Sequence, residues 1–215
     1  MPSRWAWVVA AAVLWLAAAV HAAALTREQS LKALDHPEAA QRIEAVERLG
    51  AIGRMADADA LMPLLDDDDD DVRSAATDAI WQVWSRSGDA AIDKLFARGV
   101  EHMQRQAFND ALKVFDEIVR RRPAFAEGWN KRATVYFLLG QNERSLLDCD
   151  EVLKRNPKHF GALSGAGQIH LRLGHFQQAL DFFQRALQVN PNLDGIREAI
   201  PLIEHKLREK ERSTT

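Results

Sequence analysis

The sequence of 215 residues lacks the features that small secreted scaffolds, fibrous proteins and disordered chains depend on. It has one cysteine, Cys149, and only 11 glycines and 7 prolines. This composition excludes collagen-like, low-complexity and disulfide-stabilised classes, so stability must come from packing. An excess of charge of one sign is also missing, because 28 basic residues face 31 acidic ones. A net charge of −3 argues against a nucleic acid as the main partner.

An uncharged apolar run stands near the amino terminus. Arg4 precedes the run from Trp5 to Val20, and residues 22–24 are alanines. This order is typical of a secretory signal peptide. It predicts a signal peptide over residues 1–24 and a periplasmic protein. Because a bilayer span needs about 20 residues, an uncleaved inner-membrane anchor facing the periplasm is the alternative, and membrane contact is expected only through this segment.

A period of 34 residues runs through the second half of the chain. It is marked by Pro123, Pro157 and Pro191, and again by Gln106, Gly140 and Gly174. Apolar residues between these marks follow the spacing of three and four that is typical of helices. Each unit is therefore predicted to be two helices. Glycine closes the first helix in a left-handed conformation, and proline stops the second.

This pattern resembles the tetratricopeptide repeat, whose signature is W-x2-L-G-x2-Y, then A-x3-F, then P. The matching residues are Gly99, Ala111, Phe115, Pro123, Trp129, Ala133, Tyr136, Gly140, Pro157, Gly167, Gly174, Ala179, Phe183 and Pro191. The copies cover about residues 92–125, 126–159 and 160–193 within a domain of residues 89–193. The second copy departs from the signature at Arg132, Ser145 and Cys149, which hold the Leu, Ala and Phe places. The first copy departs at Arg98 and His102.

The small and aromatic signature residues have a physical role. Gly99, Ala133 and Gly167 are expected to let paired helices approach closely. Phe115 and Phe183 are expected to fill the gap between neighbouring pairs. Cys149, in the usual Phe place of the second copy, is expected to be an inert core residue.

The first half, residues 25–88, is predicted to be a different helical repeat. Its helices are expected at Arg27–Leu34, Ala39–Ile52, Asp57–Leu65 and Val72–Trp84. The pattern of Arg42, Ala45 and Leu49 recurs as Arg73, Ala76 and Ile80, a shift of 31 residues that resembles short bacterial HEAT repeats. Two such units are marginal alone, so Trp81 and Trp84 are expected to pack toward the later repeats.

The chain after residue 193 is predicted to close the array. Residues 194–210 read as a capping helix that Pro201 kinks or restarts, and residues 211–215 as a disordered tail. The fold predicted for the whole chain is an all-α, right-handed superhelical solenoid. It contains a HEAT-like pair, three tetratricopeptide repeats and the cap.

Residues with catalytic potential are few. Asp66 to Asp71 form an acidic run that lacks the glycine and closing glutamate of a calcium loop, so helix capping is the preferred interpretation. His170 and His175 show no zinc-ligand spacing. We therefore expect no catalytic residue, metal or cofactor. The alternative is an enzyme, or an accessory enzyme component, with a metal at the acidic run or at the edge formed by His170 and His175.

The remaining candidate is the concave groove that stacked helix pairs form. Such grooves bind peptides or partner helices. The groove-facing candidates are Asn130, Thr134, Phe137, Ser164, Gln168 and Arg172. The basic clamp that chaperone-binding relatives use for a terminal carboxylate is not expected, because only one of its five places, Lys131, holds a fitting residue. The other four hold Phe96, Val100, Gly161 and Gly165. The sequence predicts a noncatalytic adaptor of the bacterial envelope that binds an unidentified protein.

Overall fold

The computed structural model describes residues 24–214, and these residues contain eleven α-helices and no strand. The helices are α1 (Arg27–Ala33), α2 (Ala39–Ile52), α3 (Ala58–Leu61), α4 (Asp70–Trp84), α5 (Ala90–Gln104), α6 (Phe108–Arg121), α7 (Ala126–Leu138), α8 (Asn142–Arg155), α9 (Phe160–Arg172), α10 (Phe176–Val189) and α11 (Asp194–Thr214). The predicted signal peptide lies outside the described residues except for Ala24. Within the described range, no helix is long and apolar enough to span a bilayer.

Helices α1 to α4 form an amino-terminal unit around one core. Thr26 starts α1 with a capping box, because its hydroxyl accepts from the amide of Gln29 and the Gln29 side chain accepts from Thr26 N. The recurring apolar residues of α2 and α4 are fully buried, namely Ala45, Leu49, Ala76 and Ile80. Their burial fits the internal repeat, while the assignment to HEAT-like repeats stays a prediction.

The predicted helix from Asp57 to Leu65 is broken in the structure. Short 3-10 turns at Met55–Asp57 and Met62–Asp66 flank the single turn of α3. Pro63 explains the second break, because it has no amide hydrogen and its ring clashes with the preceding helical turn.

Helices α5 to α10 form the three predicted pairs. Each pair turns through a residue with left-handed backbone: φ is 59° at Gln106, 73° at Gly140 and 73° at Gly174. The second helices end two residues before the periodic prolines, at Arg121, Arg155 and Val189. Both predicted end signals are therefore confirmed, and the first pair forms although Arg98 and His102 depart from the signature.

Small residues set the distance between the two helices of a pair. A Cβ added to Gly99 would lie 2.7 Å from Phe115 Cζ, and one added to Gly167 would lie 2.5 Å from Phe183 Cδ1. Such distances are too short for a real side chain, so only glycine admits these buried rings. The close helix approach predicted for the two glycines is confirmed. The contacts of the two phenylalanine rings with these glycines lie within their own helix pairs, so the filling of the gap between neighbouring pairs stays a prediction.

The carboxy-terminal cap differs from its prediction. Helix α11 is continuous through Pro201 and reaches Thr214, so the helix covers residues 211–214 of the predicted disordered tail. An ion pair in the preceding turn, Lys206 Nζ to Glu209 Oε2 at 3.0 Å, stabilises the end of this helix. Ile196 and Ile203 bury the apolar side of α11 against α10.

Helix α4 joins the amino-terminal unit to the repeats. Phe160, the first residue of α9, belongs to the same core as Trp84 and Ile80. Farther along, Arg73 Nε donates to Asn192 Oδ1 at 3.1 Å, and Asn192 Nδ2 donates to Leu65 O at 2.7 Å. The unit therefore folds back onto the second and third repeats, which confirms the direction predicted for Trp81 and Trp84.

Candidate functional site

A cleft of about 170 Å³ opens between the inner faces of α7 and α9. We call it the inner cleft. It is lined by Asn130, Ala133, Thr134, Phe137, Ser145, Cys149, Gly161, Ser164, Gly165, Gln168 and Ile169. Five of the six predicted groove residues line it, because positions three and four apart share one helix face. The structure thus brings these side chains together, while their role in binding stays a prediction.

The sixth predicted residue, Arg172, lies at the edge of the inner cleft. Its guanidinium carbon sits 4.0 Å from the centre of the Phe137 ring, and Nη1 donates to Phe137 O at 3.3 Å. The stacked pair presents an apolar ring and a solvent-exposed cation side by side. This edge can contact an apolar side chain and an anionic group of the same ligand.

The hydroxyl groups of the inner cleft donate to their own helices. Thr134 Oγ1 donates to Asn130 O at 2.9 Å, and Ser164 Oγ donates to Phe160 O at 2.6 Å. Their oxygens keep lone pairs that can accept from a ligand amide. With the exposed amide of Gln168, the cleft offers polar groups around a small apolar floor.

Cys149 forms part of that floor and is unsuited to nucleophilic chemistry. Burial raises the pKa of its thiol to about 12, and the neighbouring charges of Asp148 and Asp150 act in the same direction. The protonated thiol is the dominant form at neutral pH, whereas the thiolate is the nucleophile. The core role predicted for Cys149 is confirmed by its burial.

A buried polar cluster closes one end of the inner cleft. Glu127 and His159 are almost fully buried, and Glu127 Oε2 lies 2.9 Å from His159 Nε2. Glu127 Oε1 lies 3.0 Å from Lys131 Nζ, and Asn130 Nδ2 donates to Oε2. Burial alone would raise the pKa of Glu127, but the hydrogen bond from His159 and the charge of Lys131 outweigh it and lower the pKa.

The bonds of His159 define its tautomer. Its Nδ1 accepts from the amide of Ala162 at 3.1 Å, so His159 caps the amino terminus of α9. The proton therefore sits on Nε2, where it is donated to Glu127. This arrangement fixes the ring and positions it for stacking.

Two tryptophans of α4 cover the cluster. Trp84 stacks on His159 with ring centres 4.4 Å apart, and Trp81 meets Phe160 edge to face at 5.1 Å. Lys131 Nζ lies 5.5 Å from the Trp81 ring centre. The inner cleft therefore ends at a wall that the amino-terminal unit supplies.

Sequence reasoning missed Glu127 and His159. Neither belongs to the repeat signature, and charged residues are rarely fully buried unless paired. The aromatic pair Trp81 and Trp84 is the signal that could have found them. Two large indole side chains at the end of one helix require a packing surface on another part of the chain.

The two candidate metal positions have other roles in the structure. Asp67 pairs with Arg42 through two bonds of 2.8 and 2.7 Å, while Asp69 caps α4 by accepting from the amides of Asp71 and Val72. The capping role preferred for this acidic run is confirmed. Across residues 24–214, no group of three or more His, Cys, Asp or Glu side chains is placed to hold a metal ion.

His170 and His175 form a close pair at the turn after α9. Their Nδ1 atoms lie 3.4 Å apart, and the His170 ring stacks on Phe182. Burial, followed by the charge of His175, lowers the pKa of His170, while Asp150 opposes the change. The pair lies where α9 turns into α10, and neither histidine lines the inner cleft.

Comparisons with known proteins agree with this architecture. Residues 96–151 and 160–193 match the tetratricopeptide repeat family. A TPR repeat-containing protein of Rhizobium etli is 33% identical over 139 residues, which are 65% of this chain and 68% of that protein. Its similarity therefore extends beyond the residues that match the family.

Solved structures show the same fold. The Sgt2 TPR domain from Aspergillus fumigatus superposes with a TM-score of 0.55 at 21% identity, over 59% of this chain and 85% of that one. The first TPR of Spaghetti, bound to the HSP90 peptide SRMEEVD, gives 0.53 at 20% identity, over 54% and 93%. The helix pairs, the periodic turns and the relative from Rhizobium etli place this chain in the tetratricopeptide repeat family.

Proposed function

We propose that this protein is a noncatalytic adaptor of the bacterial cell envelope that holds a segment of a partner protein in the inner cleft. The observation that carries the proposal is the convergence of Asn130, Thr134, Phe137, Ser164 and Gln168 on one open cleft. These residues supply hydrogen-bonding groups and one aromatic surface. No reactive side chain is needed for such a role.

The shape of the inner cleft favours a particular way of binding. Trp81 and the buried cluster close it near Gly161, while Phe137 and Arg172 border its open edge. At about 170 Å³ it is far smaller than a site for a whole drug-sized ligand. We infer that a partner inserts a side chain between α7 and α9, and that its backbone crosses the edge beside Arg172.

Related proteins support peptide binding as the mode. The first TPR of Spaghetti was solved with an HSP90 peptide bound. In this chain, two glycines, Gly161 and Gly165, stand at places where the carboxylate clamp needs long polar side chains. The contacts to the partner are therefore expected at Phe137 and Arg172.

The cellular location is part of the proposal. A signal peptide over residues 1–24 would deliver the adaptor to the periplasm, and an uncleaved segment would anchor it there. The mass of the mature amino terminus, with fractionation of the envelope, distinguishes these forms. A protein found with its first residues intact in the cytoplasm would contradict both.

Photo-crosslinking tests the binding role. A photoreactive residue at Gln168 should capture a partner from envelope extract, and Phe137→Ala with Arg172→Ala should abolish that capture. Leu147→Ala is the matched control, because Leu147 is 66% exposed on α8 and absent from the inner cleft. Identical capture by the wild type, the double variant and the control would overturn the proposal.

A further inference from the structure

A second depression separates the amino-terminal unit from the loops between repeats. It consists of two adjoining cavities of about 590 and 260 Å³ that share Met55, Ala56 and Ala124. We call it the junction trough. One wall is residues 53–62 with the end of α4, and the other is the loops at 122–126 and 155–158. It shares no lining residue with the inner cleft.

Positive charge predominates in the junction trough. Its lining includes the basic residues Arg54, Arg86, Arg122, Arg155 and Lys158, against two acidic residues, Asp59 and Asp93. The whole chain carries a net charge of −3, so the excess of basic residues in the trough contrasts with the net negative charge of the protein. The trough therefore has the opposite sign to the rest of the protein.

The two carboxylates of the trough already have partners. Asp93 Oδ1 accepts from Ser87 N at 2.7 Å and from Ser87 Oγ at 2.6 Å. Asp59 Oδ1 lies 3.5 Å from Lys158 Nζ. Neither carboxylate makes an ion pair with an arginine of the trough, and Arg155 pairs with Glu151 outside it.

Arg54 and Arg122 remain unpaired on opposite walls. Within residues 24–214, neither guanidinium has an ion-paired carboxylate, and both side chains are exposed. The carboxylates that feel their charge are engaged elsewhere: Asp57 binds Arg27, and Asp89 accepts from backbone amides of α5. Two exposed guanidiniums that line one depression can bind carboxylates.

Arg86 also lines the trough, and its hydrogen bonds hold the end of α2 in place. It donates to Gly53 O and Ala51 O at 3.0 Å each and also to Gly50 O, so it holds the end of α2. Apolar surface completes the lining: Met55 is 39% exposed, and Phe125 and Trp84 form the buried floor. Methionine adapts to aliphatic side chains of varied shape.

We propose that the junction trough binds an acidic peptide segment of a partner protein whose glutamate or aspartate side chains alternate with aliphatic ones. Carboxylates of the segment pair with Arg54 and Arg122, and aliphatic side chains cover Met55. A nucleic acid is a poorer occupant, because the net negative charge of the chain repels an extended polyanion and phosphates leave the apolar lining uncovered. This site is independent of the inner cleft.

Fluorescence anisotropy tests the trough with a labelled peptide of repeated Glu-Leu-Glu. The Arg54→Gln, Arg122→Gln double variant should weaken binding by about tenfold or more, since hydrogen bonds between charged groups typically each contribute about that factor. The control Arg105→Gln, Arg208→Gln removes the same charge from exposed helical ion pairs and should retain the affinity. Equal losses in both variants would overturn the proposal.

Two further measurements distinguish the occupants. The matched Gln-Leu-Gln peptide should not bind. Inorganic phosphate or duplex DNA, added at the same concentration of negative charge as the acidic peptide, should not displace that peptide. Displacement by either would show a general anion surface and contradict the proposal. Carbodiimide should join peptide carboxylates to the exposed amine of Lys158, and crosslinks confined to lysines outside the trough would also contradict it.

A third variant keeps the test valid if the arginine variants fold poorly. Met55→Gln leaves the charge unchanged and removes only the exposed apolar contact, so it should weaken the Glu-Leu-Glu peptide severalfold. Unchanged affinity in Met55→Gln would exclude the trough. Phe137→Ala should bind this peptide normally, which separates failure at the trough from failure at the inner cleft.

Discussion

Gly161 lies directly under the indole of Trp81, so closely that a Cβ on Gly161 would overlap Cη2 of that ring. The contact joins α4 to α9 across the folded chain. It places the amino-terminal unit against the end of the inner cleft. The absence of one side chain thereby permits both the packing of Trp81 and the closed shape of the cleft.

Substitution of this glycine should weaken the packing of α4 against α9. Gly161→Ala is expected to destabilise the protein by about 1 to 3 kcal/mol, because the ring must move out of a packed site. The free energy of unfolding in urea measures the effect, and tryptophan fluorescence reports the displacement of Trp81.

Gly165 provides the control in the same helix. A Cβ there would meet only Cys149 Sγ, at 3.9 Å. Gly165→Ala should therefore stabilise α9 by about 0.5 to 1 kcal/mol through helix propensity alone. If both variants lost equal stability, the close contact between Trp81 and Gly161 would be refuted.

Local sequence rules predict the helix pairs well. Pro157 and Pro191 lie where a helix must end, and Gly140 and Gly174 lie where the backbone turns left-handed. These signals act within a few residues of the chain. Their regular spacing therefore shows in the sequence without any knowledge of tertiary contacts.

The junction between the two units could not be predicted in this way. Arg73 and Asn192 are 119 positions apart, yet they are hydrogen bonded. The burial of Glu127 likewise depends on His159 and on a helix from another unit. Such contacts follow from the relative placement of whole elements, which periodicity does not specify.

Gln106 offers a stabilising substitution. It has φ of 59° at the turn where the other repeats have glycine, and this conformation costs a residue with a Cβ about 1 to 2 kcal/mol. Gln106→Gly should raise stability by up to about 1 kcal/mol, since part of the gain is lost to the entropy of the unfolded chain. Thermal unfolding measures the change.

The reverse substitution is the control. Gly140→Gln places a side chain in the same left-handed turn and should lower the unfolding temperature. A rise in temperature for Gly140→Gln, or a fall for Gln106→Gly, would contradict the account of these turns.

Arg132 replaces the usual leucine of the signature with an ion-pair network. Its Nε and Nη2 donate to Asp148 at 2.8 and 2.7 Å, and Nη1 donates to Asp116 at 2.8 Å. Burial alone would lower the pKa of Arg132, but Asp148 raises it above the ordinary value. Arg132→Leu should cost about 3 to 5 kcal/mol, because Asp148 stays buried without its partner.

A double variant separates charge from packing at this position. Adding Asp148→Leu to Arg132→Leu should recover most of the lost stability, because no unpaired buried charge remains. Urea unfolding of all four members of the cycle measures the coupling. Strictly additive losses would show that the two residues act independently.

The acidic run gives a prediction for acid stability. The hydrogen bonds from Arg42 lower the pKa of Asp67, and burial opposes them only in part. Because the folded value lies below the ordinary carboxyl pKa of about 3.9, this pair stabilises the protein above that pH. The stabilisation is lost as pH falls through the folded pKa of Asp67, which places the loss below about pH 4.

Asp67→Asn tests that assignment. It should reduce stability at neutral pH and flatten the fall of the unfolding free energy below about pH 4, since the titrating group is gone. Asp68→Asn removes the same charge from an exposed neighbour and should keep the wild-type slope. Because both variants change the net charge equally, a difference in slope must come from the pair with Arg42. Equal slopes in the two variants would instead assign the acid sensitivity to the general repulsion of the acidic run.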